Sequence, residues 1–211
     1  MEYLHNGFTV NPSQDAFPLS TDSLLLAHFV RLPKNARVLD LGAGCGTLGL
    51  LLCAKDTACH VTGIELSEGA HISAMENIRR NGLESRMESI CADLRTLAPG
   101  SYHCCVSNPP YFSGGPASKV HSTARREDNC SPSELFSAAA RSLKFGGDFF
   151  LVHKPERLAE LIACGAKENL EAKQLCLVRH KEGGGISLIL ASALLYVFRM
   201  RRRRGLERNS R

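Results

Sequence analysis

Apolar residues in this chain fall in short runs broken by glycine, proline and charge, and the spacing of the runs alternates between strand-like and helix-like. Residues 37–41 read as a buried strand that ends in glycine, and 60–66, 87–91, 102–107 and 148–153 read as four more. Helices are expected at 23–30, capped by Asp22 and stopped before Pro33, and at 47–54. Others are expected at 67–81, closed by Gly82 in the left-handed cap position, at 133–143, ended by Gly146-Gly147, and at 155–166. Residues 173–180 and 186–191, joined by the glycine-rich 181–185, have the form of a closing hairpin.

Strands alternating with helices at this spacing predict an α/β fold, a Rossmann-like, doubly wound, mostly parallel sheet with a C-terminal antiparallel hairpin. Ligands are then expected beyond the carboxyl ends of the strands. The longest segment without periodicity, 112–132, follows one such end and reads as a mobile substrate flap, with a disordered insert as the plainer alternative. One domain is expected over 1–191, in which 1–32 covers the ligand site, followed by an atypical arginine-rich tail at 192–211.

A length of 211 residues with 44% hydrophobic content suits a single globular domain. The net charge of +5 resembles a nucleic-acid signal until it is located. Arg199, Arg201, Arg202, Arg203, Arg204, Arg208 and Arg211 crowd the end of the chain beside Glu207. Removing those seven arginines and that glutamate from totals of 26 basic and 21 acidic residues leaves 19 and 20. The basic excess belongs to the tail, not to a folded face.

Nine cysteines, an odd number without C-x-x-C spacing and with Cys104 beside Cys105, point to reduced, buried thiols and to no metal site. Residues 1–10 lack the features of a secretory signal, and the apolar run 186–198 is too short to span a bilayer. A cytoplasmic protein without a membrane role is expected.

Two motifs carry the chemistry. Val38-Leu39-Asp40-Leu41-Gly42-Ala43-Gly44-Cys45-Gly46 is a strand running into a glycine loop, where a nucleoside cofactor can approach the backbone closely. Gly44 to Gly49 also satisfies a dinucleotide spacing, with Glu65 about twenty residues on, so a nicotinamide-dependent oxidoreductase has to be weighed. Asp40 counts against it, because a carboxylate there repels a pyrophosphate but holds a cationic ammonium and sulfonium ligand. Asp93 adds a second acid at the same rim. S-adenosylmethionine fits these charges better, with Asp40 near its methionine part, Glu65 on the ribose hydroxyls and Asp93 on the adenine amino group. Leu41, Gly42, Ala43, Gly44, Gly46, Leu66, Leu94 and Asn108 complete the expected cofactor contacts.

The second motif is Asn108-Pro109-Pro110-Tyr111, after the strand at 102–107. An amino group conjugated to a ring or carbonyl is a poor nucleophile because its lone pair is delocalised. If the Asn108 side-chain oxygen and the Pro109 carbonyl accept its two hydrogens, the lone pair turns toward the methyl donor. The prolines stiffen the turn, and Tyr111 stacks on the target ring. Positioning and electrostatics then suffice without a tuned general base.

At these residues the chain resembles the class I S-adenosylmethionine-dependent methyltransferases with Asn-Pro-Pro-Tyr, and more narrowly the bacterial family that methylates adenine N6 beside the anticodon of a valine tRNA. The resemblance covers roughly 19–190 and includes Ser20-Thr21-Asp22-Ser23-Leu24-Leu25-Leu26-Ala27 and Ala124-Arg125-Arg126-Glu127. It implies an RNA substrate, most simply tRNA, with Arg125, Arg126 and Lys119 as phosphate contacts. Tyr3, Phe8 and Phe17 are either stacking surface or core. Enzymes acting on protein glutamine, rRNA or DNA bases share the four residues, and a noncatalytic RNA-binding module using the arginine tail is the reading from another class. The chain departs from the family after Leu190, where an apolar run and then arginines replace a lysine- and glycine-containing strand end.

Overall fold

The structure, a computed structural model, describes residues 2–4, 7–11, 20–109, 130–179 and 181–196. In chain order it contains β1 (Glu2–Tyr3), β2 (Thr9–Val10), α1 (Thr21–Phe29), β3 (Arg37–Leu41), α2 (Thr47–Lys55), β4 (His60–Glu65), α3 (Glu68–Arg80), β5 (Met87–Cys91), β6 (Tyr102–Ser107), α4 (Pro132–Ser142), β7 (Leu143–His153), α5 (Leu158–Lys167), β8 (Leu170–Arg179) and β9 (Ile186–Leu195). β1 and β2 form a small antiparallel pair, and the other seven strands make one sheet in the order β5-β4-β3-β6-β7-β9-β8. The first five in that order are parallel, and β9 runs antiparallel between β7 and β8. This is the doubly wound sheet with a closing hairpin that the sequence predicts.

Side chains alternate along a strand, so neighbouring residues enter different cores. Val38, Val61, Val106, Phe150 and Val152 pack with α1, α2 and α3, whereas Leu39, Leu41, Phe149 and Leu151 pack with α4 and α5. Both faces of the central strands β3 and β6 are thereby covered, which is why they are buried along most of their length. Cys104 and Cys105 are adjacent, fully buried and assigned to opposite cores. All nine cysteines are free thiols, and burial pushes that of Cys104 up to about 12.

Several boundaries differ from the sequence reading. The expected cap Asp22 lies inside the first turn of α1, and Ser20 is the N-cap, its Oγ accepting the Ser23 amide at 3.2 Å. Asp22 instead places its charge near the positive end of the helix. Strand β7 starts at Leu143, not 148, because Gly146 and Gly147 sit within an irregularity against β6 and do not end the strand. A side chain at Gly147 would bring Cβ within 3.0 Å of the His103 carbonyl. Pro155–Arg157 forms a 3-10 turn ahead of α5. Strand β9 continues to Leu195, so the expected domain end at 191 falls within it; Ser192, Ala193 and Leu194 pair with Phe150, Phe149 and Asp148. The arginine tail from 197 onward lies outside the described residues. Among the described residues, no helix is long and apolar enough to cross a membrane.

Two asparagines one turn apart, Asn77 on α3 and Asn81 at its C-cap, grip the N-terminal segment. Asn81 accepts from the Thr9 amide and donates to the Thr9 carbonyl, both at 2.8 Å, and Asn77 does the same for Asn11 at 2.9 and 3.1 Å. Two residues of extended chain advance about 6.6 Å and one helical turn about 5.4 Å, close enough for both amides to pair. Asn77 also donates to the Cys45 carbonyl at 3.0 Å, which ties the N-terminal segment to the loop after β3.

Asn77 is 1% exposed, so Asn77→Ala leaves the Asn11 amide and the Cys45 carbonyl without these partners. Stability should fall by about 1–3 kcal/mol, read as a lower urea midpoint, with a smaller loss for the half-buried Asn81→Ala. An unchanged midpoint for Asn77→Ala would show that this grip contributes nothing.

Candidate active site

The chain leaves β3 toward β4 and β5 on one side and returns to build β6 and β7 on the other, so β3 and β6 flank a topological switch point. In open α/β sheets the crevice for a ligand lies beyond the carboxyl ends of the strands at such a point. Ser107 Oγ donates to the Leu41 carbonyl at 2.7 Å in the buried layer, which locks the two strand ends together. The Gly42 and Ala43 amides both donate to the Ile64 carbonyl at 3.0 Å, so the glycine loop folds over the end of β4. Gly44 and Gly46 have φ of 56° and 83°, and Gly46 is the N-cap of α2. A side chain at either would be strained, which accounts for the glycine spacing read from the sequence.

Three acids sit along this rim in three different conditions. Asp40 is 1% exposed, and its Oδ2 has no hydrogen-bond partner among the described residues. Burial first, then the charge of Glu65, push its carboxyl up to about 7, against the opposing Gly49 amide. Glu65 is satisfied by backbone: Oε2 accepts from the Gly44 amide and Oε1 from the Ser67 amide, each at 2.8 Å. It therefore shapes the glycine loop while keeping further lone pairs for a ligand. Asp93 is held by Arg95, whose guanidinium and backbone amide both donate to it, and this lowers the Asp93 carboxyl below its usual range. Arg95 also approaches Glu134 of α4 at 3.7 Å. Arg141, farther along α4, donates to the carbonyls of Leu94, Arg95 and Leu97 and so holds this stretch of the rim.

An unpartnered carboxylate oxygen buried beside a glycine loop fits a cationic ligand and opposes a pyrophosphate. The rim therefore suits an ammonium- and sulfonium-bearing cofactor better than a dinucleotide. Leu66 is exposed beside Glu65, and Leu94 is partly buried against the α4 core.

Asn108 leaves β6 half-buried, followed by buried Pro109. Its Nδ2 donates to Ser23 Oγ at 2.9 Å and to Ser20 Oγ at 3.4 Å. Neither serine is linked to Asn108 by the sequence reading; Ser20 enters the site as the N-cap of α1. Pro110, Tyr111, Lys119, Arg125 and Arg126 lie outside the described residues, as does Phe17. The expected flap is described only at 130–132, where Ser131 and Glu134 form a capping box that starts α4. Tyr3 is 79% exposed, and Phe8 packs on the core. An apolar cavity of about 30 Å³ beneath α4 and α5, lined by Phe136, Leu161 and Leu170 among others, is core space and not part of this crevice.

The methyltransferase small domain model matches residues 14–163. A tRNA1(Val) (adenine(37)-N6)-methyltransferase of Shewanella halifaxensis is 31% identical over 189 residues, 87% of this chain and 76% of that protein. One of Bacteroides fragilis is 36% identical over 152 residues, 69% of this chain and 63% of that protein. Among solved structures, a predicted O-methyltransferase of Agrobacterium tumefaciens superposes with a TM-score of 0.67 at 24% identity, covering 82% of this chain and 80% of that one. A geranyl diphosphate C-methyltransferase of Streptomyces coelicolor gives 0.62 at 13%, covering 83% and 78%. At such identities the structural likenesses speak for the fold alone, a class I methyltransferase sheet. With the family model matched over most of its length, the chain belongs to the methyltransferase small domain family.

Proposed function

We propose that the protein is an S-adenosylmethionine-dependent methyltransferase that modifies adenine N6 of tRNA beside the anticodon. The observation that carries this reading is the placement of Asn108 across the switch point from the glycine loop, with its amide nitrogen already bonded within the protein. The names of the relatives in Shewanella and Bacteroides support the choice of adenine and tRNA over other planar nitrogens.

S-adenosylmethionine, when bound, supplies an electrophilic methyl group on a sulfonium. Asp40 is the residue to meet its positive end, Glu65 to take the ribose hydroxyls and Asp93 to take the adenine amino group, with 41–46, Leu66 and Leu94 shaping the cleft. On the acceptor side, Asn108 Oδ1 and the Pro109 carbonyl accept the two hydrogens of the adenine amino group. Its lone pair is thereby drawn out of conjugation. The new carbon–nitrogen bond would form as the methyl–sulfur bond breaks, leaving S-adenosylhomocysteine, and the amine then loses a proton to solvent. These two oxygens therefore position and stabilise, and no side chain has to remove the proton beforehand. Tyr111 is given the stacking role, and Lys119, Arg125 and Arg126 the phosphates.

Labelled methyl transfer into tRNA lacking the modification, followed by nucleoside identification, should yield N6-methyladenosine. Asn108→Ala should lower the rate about 100- to 1,000-fold and affect S-adenosylhomocysteine affinity far less. Absence of transfer by wild-type protein that binds the cofactor would overturn the tRNA assignment and point to protein or DNA acceptors.

Asp40 gives a pH dependence of definite sign. Because its carboxyl titrates near 7 in the folded protein, ionising it opposes folding, and that loss of stability grows from about pH 4 until it is complete above about pH 7. A cationic ligand needs the ionised form, so cofactor affinity should weaken toward about tenfold per pH unit below that point. At about pH 8, Asp40→Asn should raise Tm yet bind the cofactor more weakly and with no such pH dependence. Calorimetric titration across the range checks this, and identical pH profiles for the two proteins would remove Asp40 from the cofactor site.

A further inference from the structure

Asn108 serves methyl transfer only if its side-chain oxygen, not its nitrogen, faces the acceptor. The two ends of an asparagine amide have nearly the same shape but opposite hydrogen-bonding character. An inverted Asn108 would set an NH2 group against the amine to be methylated, donor against donor. In the structure both amide hydrogens are used elsewhere, one on Ser23 Oγ at 2.9 Å and one on Ser20 Oγ at 3.4 Å. Ser23 is 7% exposed, so water competes little for the shorter contact.

The two hydroxyls are themselves fixed. Ser20 caps α1 and accepts the Ser23 amide, and the two Oγ atoms lie 3.3 Å apart. At the other end of α1, Lys55 Nζ reaches over from α2 and donates to the carbonyls of Ala27, His28 and Val30 at 2.9, 3.0 and 2.6 Å. Phe29 meets Phe150 of β7 edge to face, with ring centroids 6.1 Å apart. The helix is thus fastened to its neighbour and to the sheet, and it presents both serines as a rigid pair.

We propose that Ser23 is a positioning residue for methyl transfer: its hydroxyl, backed by Ser20, accepts from Asn108 Nδ2 and so turns Oδ1 toward the acceptor nitrogen. This rests on the role given to Asn108 above. A planar amide has its oxygen fixed relative to its nitrogen, so pinning one atom aims the other. The segment from Ser20 to Ala27 thereby gains a task in the chemistry beyond covering the site.

The test compares Ser23→Ala, Ser23→Thr, Asn108→Ala and the Ser23→Ala/Asn108→Ala pair in methyl transfer to unmodified tRNA and in S-adenosylhomocysteine binding. Ser23→Ala should lower kcat about 100-fold, the scale of a misplaced group, with KM for tRNA and cofactor affinity little changed. Ser23→Thr should restore most of the rate, and Ser23→Ala should add almost nothing once Asn108 is alanine, because it acts through that residue. In nitrogen-15-labelled protein without RNA, the Asn108 side-chain NH2 signals should shift and exchange faster in Ser23→Ala. Unmoved signals would overturn the contact itself. Full kcat in Ser23→Ala beside an inactive Asn108→Ala would overturn the Ser23 proposal alone. A loss that Thr does not restore and that adds in full to Asn108→Ala would also overturn it, in favour of a structural role. Full transfer by Asn108→Ala would instead overturn the reading of Asn108.

Discussion

Everything at this site depends on the parallel pairing of β3 with β6. The two strands lie side by side, but the chain reaches them from opposite halves of the sheet, which makes their carboxyl ends the switch point of the fold. Leu39 and Asp40 are in register with Cys105 and Val106, and the buried bond from Ser107 Oγ to the Leu41 carbonyl carries that register to the rim. Adjacent strands are about 4.8 Å apart, so the glycine loop after β3 and Asn108 after β6 emerge as near neighbours. The burial of these strands, with layers packed on both faces, keeps that spacing fixed.

The rim also shows how one kind of side chain is put to three uses by its surroundings. Glu65 accepts one backbone amide on each oxygen and so acts as a clamp on the glycine loop. Asp93 is neutralised by an arginine that also approaches Glu134, so its charge is balanced before any ligand arrives. Asp40 has only the Gly49 amide to set against its surroundings: it is the most buried of the three, close to Glu65, and its carboxyl is raised. A fold optimised for stability alone would not leave its Oδ2 without a partner among the described residues. The energetic cost is concentrated where a positive ligand would relieve it.

Much of this was legible in the sequence, for reasons that differ from element to element. The strand-and-helix alternation, the hairpin and the left-handed cap at Gly82 follow from local period and from backbone conformations that few residues adopt. The glycine loop was legible for the same reason. What escaped depends on contacts distant in sequence: the grip of Asn77 and Asn81 on residues 9 and 11, the continuation of β9 between two partners, and the glycines that lie within β7 and do not precede it. Ser20 outcompetes Asp22 as cap in a segment where both can serve, a choice that propensity does not make. The serine contacts of Asn108 were beyond reach, since nothing local marks a helical serine as the partner of an asparagine at a strand end.

A reacting group on a loop is usually less well fixed than one on a helix or strand, and both halves of this site answer that difficulty in the same way. On the cofactor side, the glycine loop is bonded to Glu65 at the end of β4 and, through the Cys45 carbonyl, to Asn77 of α3. On the acceptor side, Asn108 is bonded to the first turn of α1. Asn77 also holds Asn11, so the N-terminal segment is bonded at one point to the structure around the glycine loop and at another to the acceptor motif. A segment that covered the site passively would need only apolar contact with the core. The directed hydrogen bonds at Asn11 and Ser23 instead tie it to the frame that holds the glycine loop and to the end of β6.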